Sequence, residues 1–270
     1  MSKFKLVALD MDGTLTNDEK LITPKTKAAL IEIQKQGAVV VLASGRPTTG
    51  LYKEASELRL HEFGGYLLSY NGARISKAID RTVIHEDRLP RHMIPGLVEH
   101  VSKFPVSMIF DDGVSLYTTD RDGYAVSVES RITHLDIVEI TNLNKVYEVA
   151  PVKLLMSAEP SVLRGIEKEI GAPFPELEFV RSAPFFLEAV NKGVSKGAAL
   201  KLLAESLGIK REEIMAFGDE HNDIPMLEYA GLGVGMENAC DEILEMCDVV
   251  TLSNNNDGVA HMLAMYFENI

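Results

Sequence analysis

The chain has no tryptophan, only two cysteines and 7% aromatic residues in 270 positions. Cys240 and Cys247 are too few for a disulfide framework and have no histidines at zinc-ligand spacing, which argues against a stapled secreted scaffold and a zinc module. Long apolar runs are missing as well. Leu6-Val7-Ala8-Leu9 stops at Asp10, too short for a signal core or a membrane span. Positive charge is scarce: 27 Lys and Arg stand against 40 Asp and Glu, a formal charge of -13 that repels nucleic-acid phosphates and anionic lipid. These absences predict a cytoplasmic protein with no nucleic-acid and no membrane partner, a monomer or homodimer, in which any anionic ligand needs a local cationic site. What is present is ordinary for a globular protein. Hydrophobic residues make up 46% and charged residues 25%, and the length suits one large domain or two.

The organisation follows from periodicity. Leu6 to Leu9 and Val39 to Ala43 are short, continuously apolar runs, as expected of parallel strands buried on both faces. Between them Thr23 can cap a helix that starts at Pro24, places Ala29, Leu30 and Ile33 on one face and stops near Gly37. A helix near 47–58 and a strand at Tyr66 to Ser69 continue the alternation, which predicts an α/β, Rossmann-like, doubly wound parallel sheet. From about Ala73 the rhythm changes to closely spaced strands with short turns such as Asp111-Asp112-Gly113, the pattern of an α+β module. The alternation returns after Ser195. One domain in two segments, 1–85 and 189–270, is therefore expected to flank an inserted module, 86–188.

Four predicted strand ends carry polar residues that packing does not require. Asp10-Met11-Asp12-Gly13-Thr14-Leu15 follows the first strand, where open α/β sheets place their ligand crevice. Two carboxylates so close repel unless a cation or a proton intervenes, so the pair implies a bound metal or a shared proton; a turn of ordinary acidic residues is the alternative. Ser44-Gly45-Arg46-Pro47 follows the second strand. It offers a hydroxyl, a close backbone approach and a guanidinium before a helix start, a vocabulary for phosphate, unless Ser44 only caps that helix and Arg46 is solvated. Tyr70-Asn71-Gly72 follows the third strand. Lys196 opens a later helix, where an ammonium is unfavourable unless an anion lies near, with a solvated surface lysine as the equal alternative, and Gly218-Asp219-Glu220-His221-Asn222-Asp223 repeats the acidic strand end, which ordinary loop residues would also explain.

These motifs, in this order and over essentially the whole chain, resemble the haloacid dehalogenase superfamily, and within it the Cof-type group of YidA-like sugar phosphatases. The resemblance implies Asp10 as nucleophile and Asp12 as acid and base. It implies a magnesium site made by Asp10, the Asp12 carbonyl and Asp219, with Asp223 in support. Ser44, Gly45, Lys196, Asn222 and the Met11 and Asp12 amides would hold the phosphate, and Arg46, Asn71 and Gly72 would lie close to substrate. The insert would be the substrate-selecting α/β cap, of the C2 type. The expected activity is Mg²⁺-dependent hydrolysis of small phosphorylated metabolites, sugar phosphates foremost, through an aspartyl phosphate on Asp10.

The residue types support this chemistry independently. A carboxylate nucleophile splits hydrolysis into two displacements, and an acid/base that serves both needs a pKa near the working pH. A phosphomutase and a phosphoaspartate receiver that does not turn over are the rival readings. The glycines of Gly231-Leu232-Gly233-Val234-Gly235 lack the dinucleotide spacing, and His221 reads as a solvated loop residue. Substrate choice would rest on insert residues such as Asp111, Asp112, Arg121, Arg181 and Glu188, for which polar turns are an equal alternative.

Overall fold

A computed structural model describes residues 2–270, which divide into two compact units: 2–85 with 195–270, and 86–194. Strands are numbered in chain order. The first segment carries β1 (Leu6–Asp10), β2 (Val39–Ala43), β3 (Tyr66–Ser69), β4 (Arg74–Lys77) and β5 (Val83–Glu86). The middle of the chain carries β6 (Ser107–Asp111), β7 (Ser115–Thr118), β8 (Asp136–Glu139), β9 (Leu154–Ser157), β10 (Leu177–Ala183) and β11 (Phe186–Asn191). The last segment carries β12 (Ile214–Gly218), β13 (Leu232–Gly235) and β14 (Val249–Val250).

In the first unit eight strands form one sheet in the order β14-β13-β12-β1-β2-β3-β4-β5, parallel from β14 through β3. Strands β1 and β12 are buried at every residue, the reason their sequences are unbroken apolar runs. Alternate residues feed opposite faces. Val7, Leu9, Val40, Leu42 and Phe217 pack in one cluster with Ala29, Leu30 and Ile33 of helix Pro24–Lys35 and with Met262 and Leu263 near the C-terminus. Leu6, Ala8, Val41, Ala43 and Ala216 pack in another with Leu200 and Leu203 of helix Lys196–Leu207 and Met226 and Leu227 of helix Ile224–Tyr229. Each fully buried leucine contributes roughly 2 kcal/mol. Helices thus cover both faces of a doubly wound sheet. Because β1 has β2 on one side and β12 on the other, its carboxyl end is a topological switch point.

The second unit is a six-stranded sheet in the order β10-β11-β9-β6-β7-β8, antiparallel except for the β7/β8 pair. Met108, Phe110, Leu154, Met156, Leu187 and Ala189 face one apolar cluster, and Ile109, Leu155 and Phe186 face a smaller one. The sequence-placed limit of the insert at 188 is corrected: it falls inside β11, whose pairing with β9 and β10 carries the unit on to Val194. Helices Ile94–Val101 and Asn144–Val149 and strand β8 are additions that the sequence pattern did not mark.

Candidate active site

Every residue that the resemblance assigns to the catalytic, phosphate and metal site lies in the first unit, at or just beyond the carboxyl ends of β1, β2, β3 and β12 or at the start of helix Lys196–Leu207, whereas Asp111, Asp112, Arg121, Arg181 and Glu188 lie in the second unit. After Asp10 the chain turns. Leu15 N–H donates to the Asp10 carbonyl, and both the amide and the hydroxyl of Thr16 donate to the Met11 carbonyl. Gly13 sits at φ +87°, and a Cβ there would lie 2.2 Å from Asp219 Oδ2, so only glycine lets the first motif approach the fourth. Thr14 closes the contact by donating to Asp219 Oδ1 at 2.6 Å.

Lys196 stands at the centre. Completely buried, its Nζ donates to Asp10 Oδ1 at 2.5 Å and to Asp223 Oδ1 at 2.6 Å, joining residues 186 and 27 positions away. The helix can begin there because Gly197 lies against the Pro225 carbonyl, where a Cβ would be 2.1 Å away. Asp223 is saturated on its other oxygen, which accepts the Asp219 and Glu220 amides at 3.0 and 3.1 Å. It therefore fixes both Lys196 and the turn that carries Asp219.

Asp10, Asp219 and Asp223 offer carboxylate oxygens within 4.8 Å of one another. Asp10 and Asp223 pair with the one ammonium, and Asp10 and Asp219 titrate as crowded, buried groups. Burial, reinforced by the charge of Asp223, pushes Asp10 well above the usual carboxylate range. Asp219 is pushed up to about 6, chiefly by burial, with Asp223 and Glu220 adding to it against the Thr14 hydrogen bond. Burial disfavours the Lys196 ammonium, but Asp10 and Asp223 outweigh it and hold the lysine charged. A compact, oxygen-only donor set with surplus negative charge fits a hard divalent cation.

Asp12 is placed differently. Its carboxylate is absent from the trio and is held by Arg46, whose Nη2 donates to Oδ1 at 2.6 Å and Nε to Oδ2 at 2.9 Å, and by Lys20 Nζ at 2.9 Å from Oδ1. Burial works to raise its pKa, yet the hydrogen bonds and charges of Arg46 and Lys20 prevail and hold it below the ordinary value. That differs from the expectation of an acid/base poised near neutrality: two cations crowd one carboxylate. Arg46 is likewise tied up rather than solvated. Any metal contact by Asp12 falls to its main chain. The Met11 side chain is buried in the core, so its part in the site also falls to the backbone.

The second and third strand ends meet. The Ser44 carbonyl accepts the Asn71 amide, the Ser44 hydroxyl accepts the Arg46 amide, and the Asn71 side-chain carbonyl accepts from Asn222 at 2.9 Å. Gly45 lies against that same Asn71 side chain, and Gly72 against the Ser195 carbonyl. Tyr70 and Asn71 hold positive φ of 53° and 55°, a strained pair of the kind that collects at functional sites. Thr14, Lys20 and Asn238, which donates to the Gly13 carbonyl at 2.8 Å, escaped sequence reasoning; only Thr14 had a signal, its place inside the first motif. His221 is exposed, as read, and pairs with Glu242 at 2.9 Å.

The family model for haloacid dehalogenase-like hydrolases matches residues 7–263. A haloacid dehalogenase-like hydrolase from Bacteroides thetaiotaomicron, known by crystal structure, is 37% identical with a TM-score of 0.91, over 98% of this chain and 100% of that one. YxeH of Bacillus subtilis, to which phosphatase activity is ascribed, is 36% identical over 96% of this chain and 97% of its own length. The same organism's 5-amino-6-(5-phospho-D-ribitylamino)uracil phosphatase YcsE is 31% identical over 95% of this chain and 93% of its own. With these likenesses running nearly end to end, and with the first and fourth motifs joined through one buried lysine, the chain belongs to the haloacid dehalogenase-like hydrolases.

Proposed function

We propose that this haloacid dehalogenase-family phosphatase hydrolyses small phosphorylated metabolites, sugar phosphates foremost, with Mg²⁺ as cofactor and an aspartyl phosphate on Asp10 as intermediate. The observation that carries this reading is the Asp10 carboxylate at the switch point, gripped by Lys196 within an oxygen-only acidic trio. A metal would be held by Asp10, Asp219 and the Asp12 carbonyl, with Asp223 fixing the set. When bound, Mg²⁺ neutralises the trio and draws charge from the phosphoryl oxygens.

The chain's own residues supply the rest. Lys196 fixes the nucleophile and offsets its charge against that of the phosphate. In the first displacement an Asp10 oxygen bonds to phosphorus, the P–O bond to the alcohol breaks, and a proton carried by Asp12, whose protonated fraction Arg46 and Lys20 keep small in the free protein, passes to the departing oxygen. In the second, water attacks phosphorus, Asp12 takes its proton, and Asp10 leaves as a carboxylate. Ser44, Gly45 and Asn222 line the approach for phosphate, with Arg46, Asn71 and Gly72 beside it. The substrate in the name of YcsE, a 5-phospho-D-ribityl compound, supports a phosphate on a polyhydroxylated chain as the substrate class.

The test is phosphate release from a panel of sugar and polyol phosphates by wild type and Asp10→Asn, each with Mg²⁺ and with EDTA. Wild type should turn over with Mg²⁺ alone, and Asp10→Asn should lose roughly 10⁴-fold or more in kcat. Retention of wild-type kcat by Asp10→Asn removes the nucleophile. Positional isomers without phosphate release identify a mutase, and a lasting phosphoenzyme without turnover identifies a receiver.

A further inference from the structure

Lys20 has no role in the reading above, yet its geometry is specific. Its ammonium and Arg46 Nη2 both donate to Asp12 Oδ1, whereas Oδ2 accepts from Arg46 Nε. One oxygen of the carboxylate thus carries two donors and the other carries one. The turn that delivers Lys20 is built for the purpose. Lys20 sits at φ 60°, a left-handed conformation that glycine or asparagine adopts more readily. Its amide donates to the Asn17 carbonyl, the Leu21 amide donates to Asn17 Oδ1, and the Asn17 amide donates to the Leu21 carbonyl. The turn is pinned in its turn to the far segment: Asn254 and Asn255 donate to the Asp18 carboxylate, and Asn254 also donates to the Thr16 carbonyl. An ion pair with a lysine this exposed adds little stability, so a strained, pinned turn that ends on the Asp12 carboxylate points to the reaction rather than to the fold.

We infer that Lys20 is a positioning residue: with Arg46 it saturates Asp12 Oδ1 and so leaves Oδ2 as the oxygen that receives the proton of the attacking water when the aspartyl phosphate is hydrolysed. In that step the water oxygen bonds to phosphorus, its proton passes to Oδ2, the bond from phosphorus to the Asp10 oxygen breaks, and inorganic phosphate and free Asp10 carboxylate result. The inference rests on the proposed role of Asp12, and it assigns Lys20 to the second displacement.

The experiment is rapid acid quench of the full-length protein turning over p-nitrophenyl phosphate with Mg²⁺, with the phosphoenzyme fraction read by intact mass beside steady-state kcat and KM. An aryl leaving group makes the first displacement easy and exposes the second. Lys20→Met should lower kcat by about fivefold, the upper range for one exposed ion pair, with KM little changed and a larger fraction trapped as phosphoenzyme. Lys20→Arg should restore both. A fall in kcat without added phosphoenzyme, or kcat and phosphoenzyme equal to wild type, overturns the inference. Asp12→Asn separates the two levels. If it loses turnover without trapping phosphoenzyme, the role of Asp12 itself fails; if it traps phosphoenzyme and Lys20→Met does not, only the role of Lys20 fails.

Discussion

Among the described residues two lysines are buried, one in each unit, and both sit among carboxylates. Lys196 of the first unit pairs with Asp10 and Asp223; Lys153 of the second pairs with Glu188 at 2.9 Å and Glu129 at 3.6 Å. In both, burial opposes the charge and the flanking carboxylates restore it, so each lysine is held protonated. The inventories match, but the geometry does not. Around Lys196 three carboxylates converge on one another, and two of them, Asp10 and Asp223, pair with the ammonium; no such convergence includes Lys153 among the described residues. Burial raises the pKa of Glu129 in the second unit as it raises those of Asp10 and Asp219 in the first, so protonation does not tell the two clusters apart. A buried ammonium–carboxylate pair by itself reports only anchoring. Repulsion between neighbouring carboxylates is what creates a demand for a cation, and a charge left over after pairing is what chemistry can use.

The comparison breaks most readily at the two lysines. Lys196→Met should cost about 3–5 kcal/mol of stability, because two buried carboxylates lose their partner, and should cut kcat by about 10³-fold. Lys153→Met should cost a similar 3–5 kcal/mol while the protein that remains folded keeps kcat within about threefold. Denaturant melts beside phosphate-release assays check both, and equal kinetic losses would erase the distinction between the clusters. A smaller effect concerns protons. The folded pKa of Asp219, about 6, lies above its ordinary 3.8, so between these values the native state holds more protons than the unfolded chain. Metal-free protein should therefore gain about 1–3 kcal/mol as pH falls from 7 to 5 and level off near 4. Mg²⁺ should stabilise more at pH 7 than at pH 5, since protons compete for the same oxygens; thermal melts in EDTA and in Mg²⁺ read this directly. The smallest change is expected on the surface of the second unit. Arg181 is paired with the partly exposed Glu167, and Arg181→Ala should shift stability by less than about 1 kcal/mol with kcat unchanged.

Legibility followed burial and chain distance. Strands β1, β2 and β12 could be read because parallel strands covered on both faces are unbroken apolar runs, and helix Lys196–Leu207 because Ser195 caps it by accepting the Ala198 amide. Helix Ile94–Val101 was not marked: it carries Pro95 and Gly96, both poor helix formers in general, although proline in a first turn is well tolerated. Strand β8 is an exposed, acid-flanked edge with no apolar alternation, and only its pairing with β7 makes it a strand. At the site, the motif residues could be picked out one by one, but neither the grip of Arg46 and Lys20 on Asp12 nor that of Thr14 on Asp219 could be. No local pattern encodes a contact across 205 positions.

Sequence alone determined the alternation of elements, the polar residues at four strand ends and the acidic character of the place where they would meet, because these depend on periodicity and residue type. Tertiary structure decided which carboxylate faces which cation. The same aspartate type became a buried carboxyl with a raised pKa at Asp10 and a cation-paired carboxyl with a lowered pKa at Asp12, two residues apart, because the turn at Gly13 gave them different neighbours and burial and charge act through space.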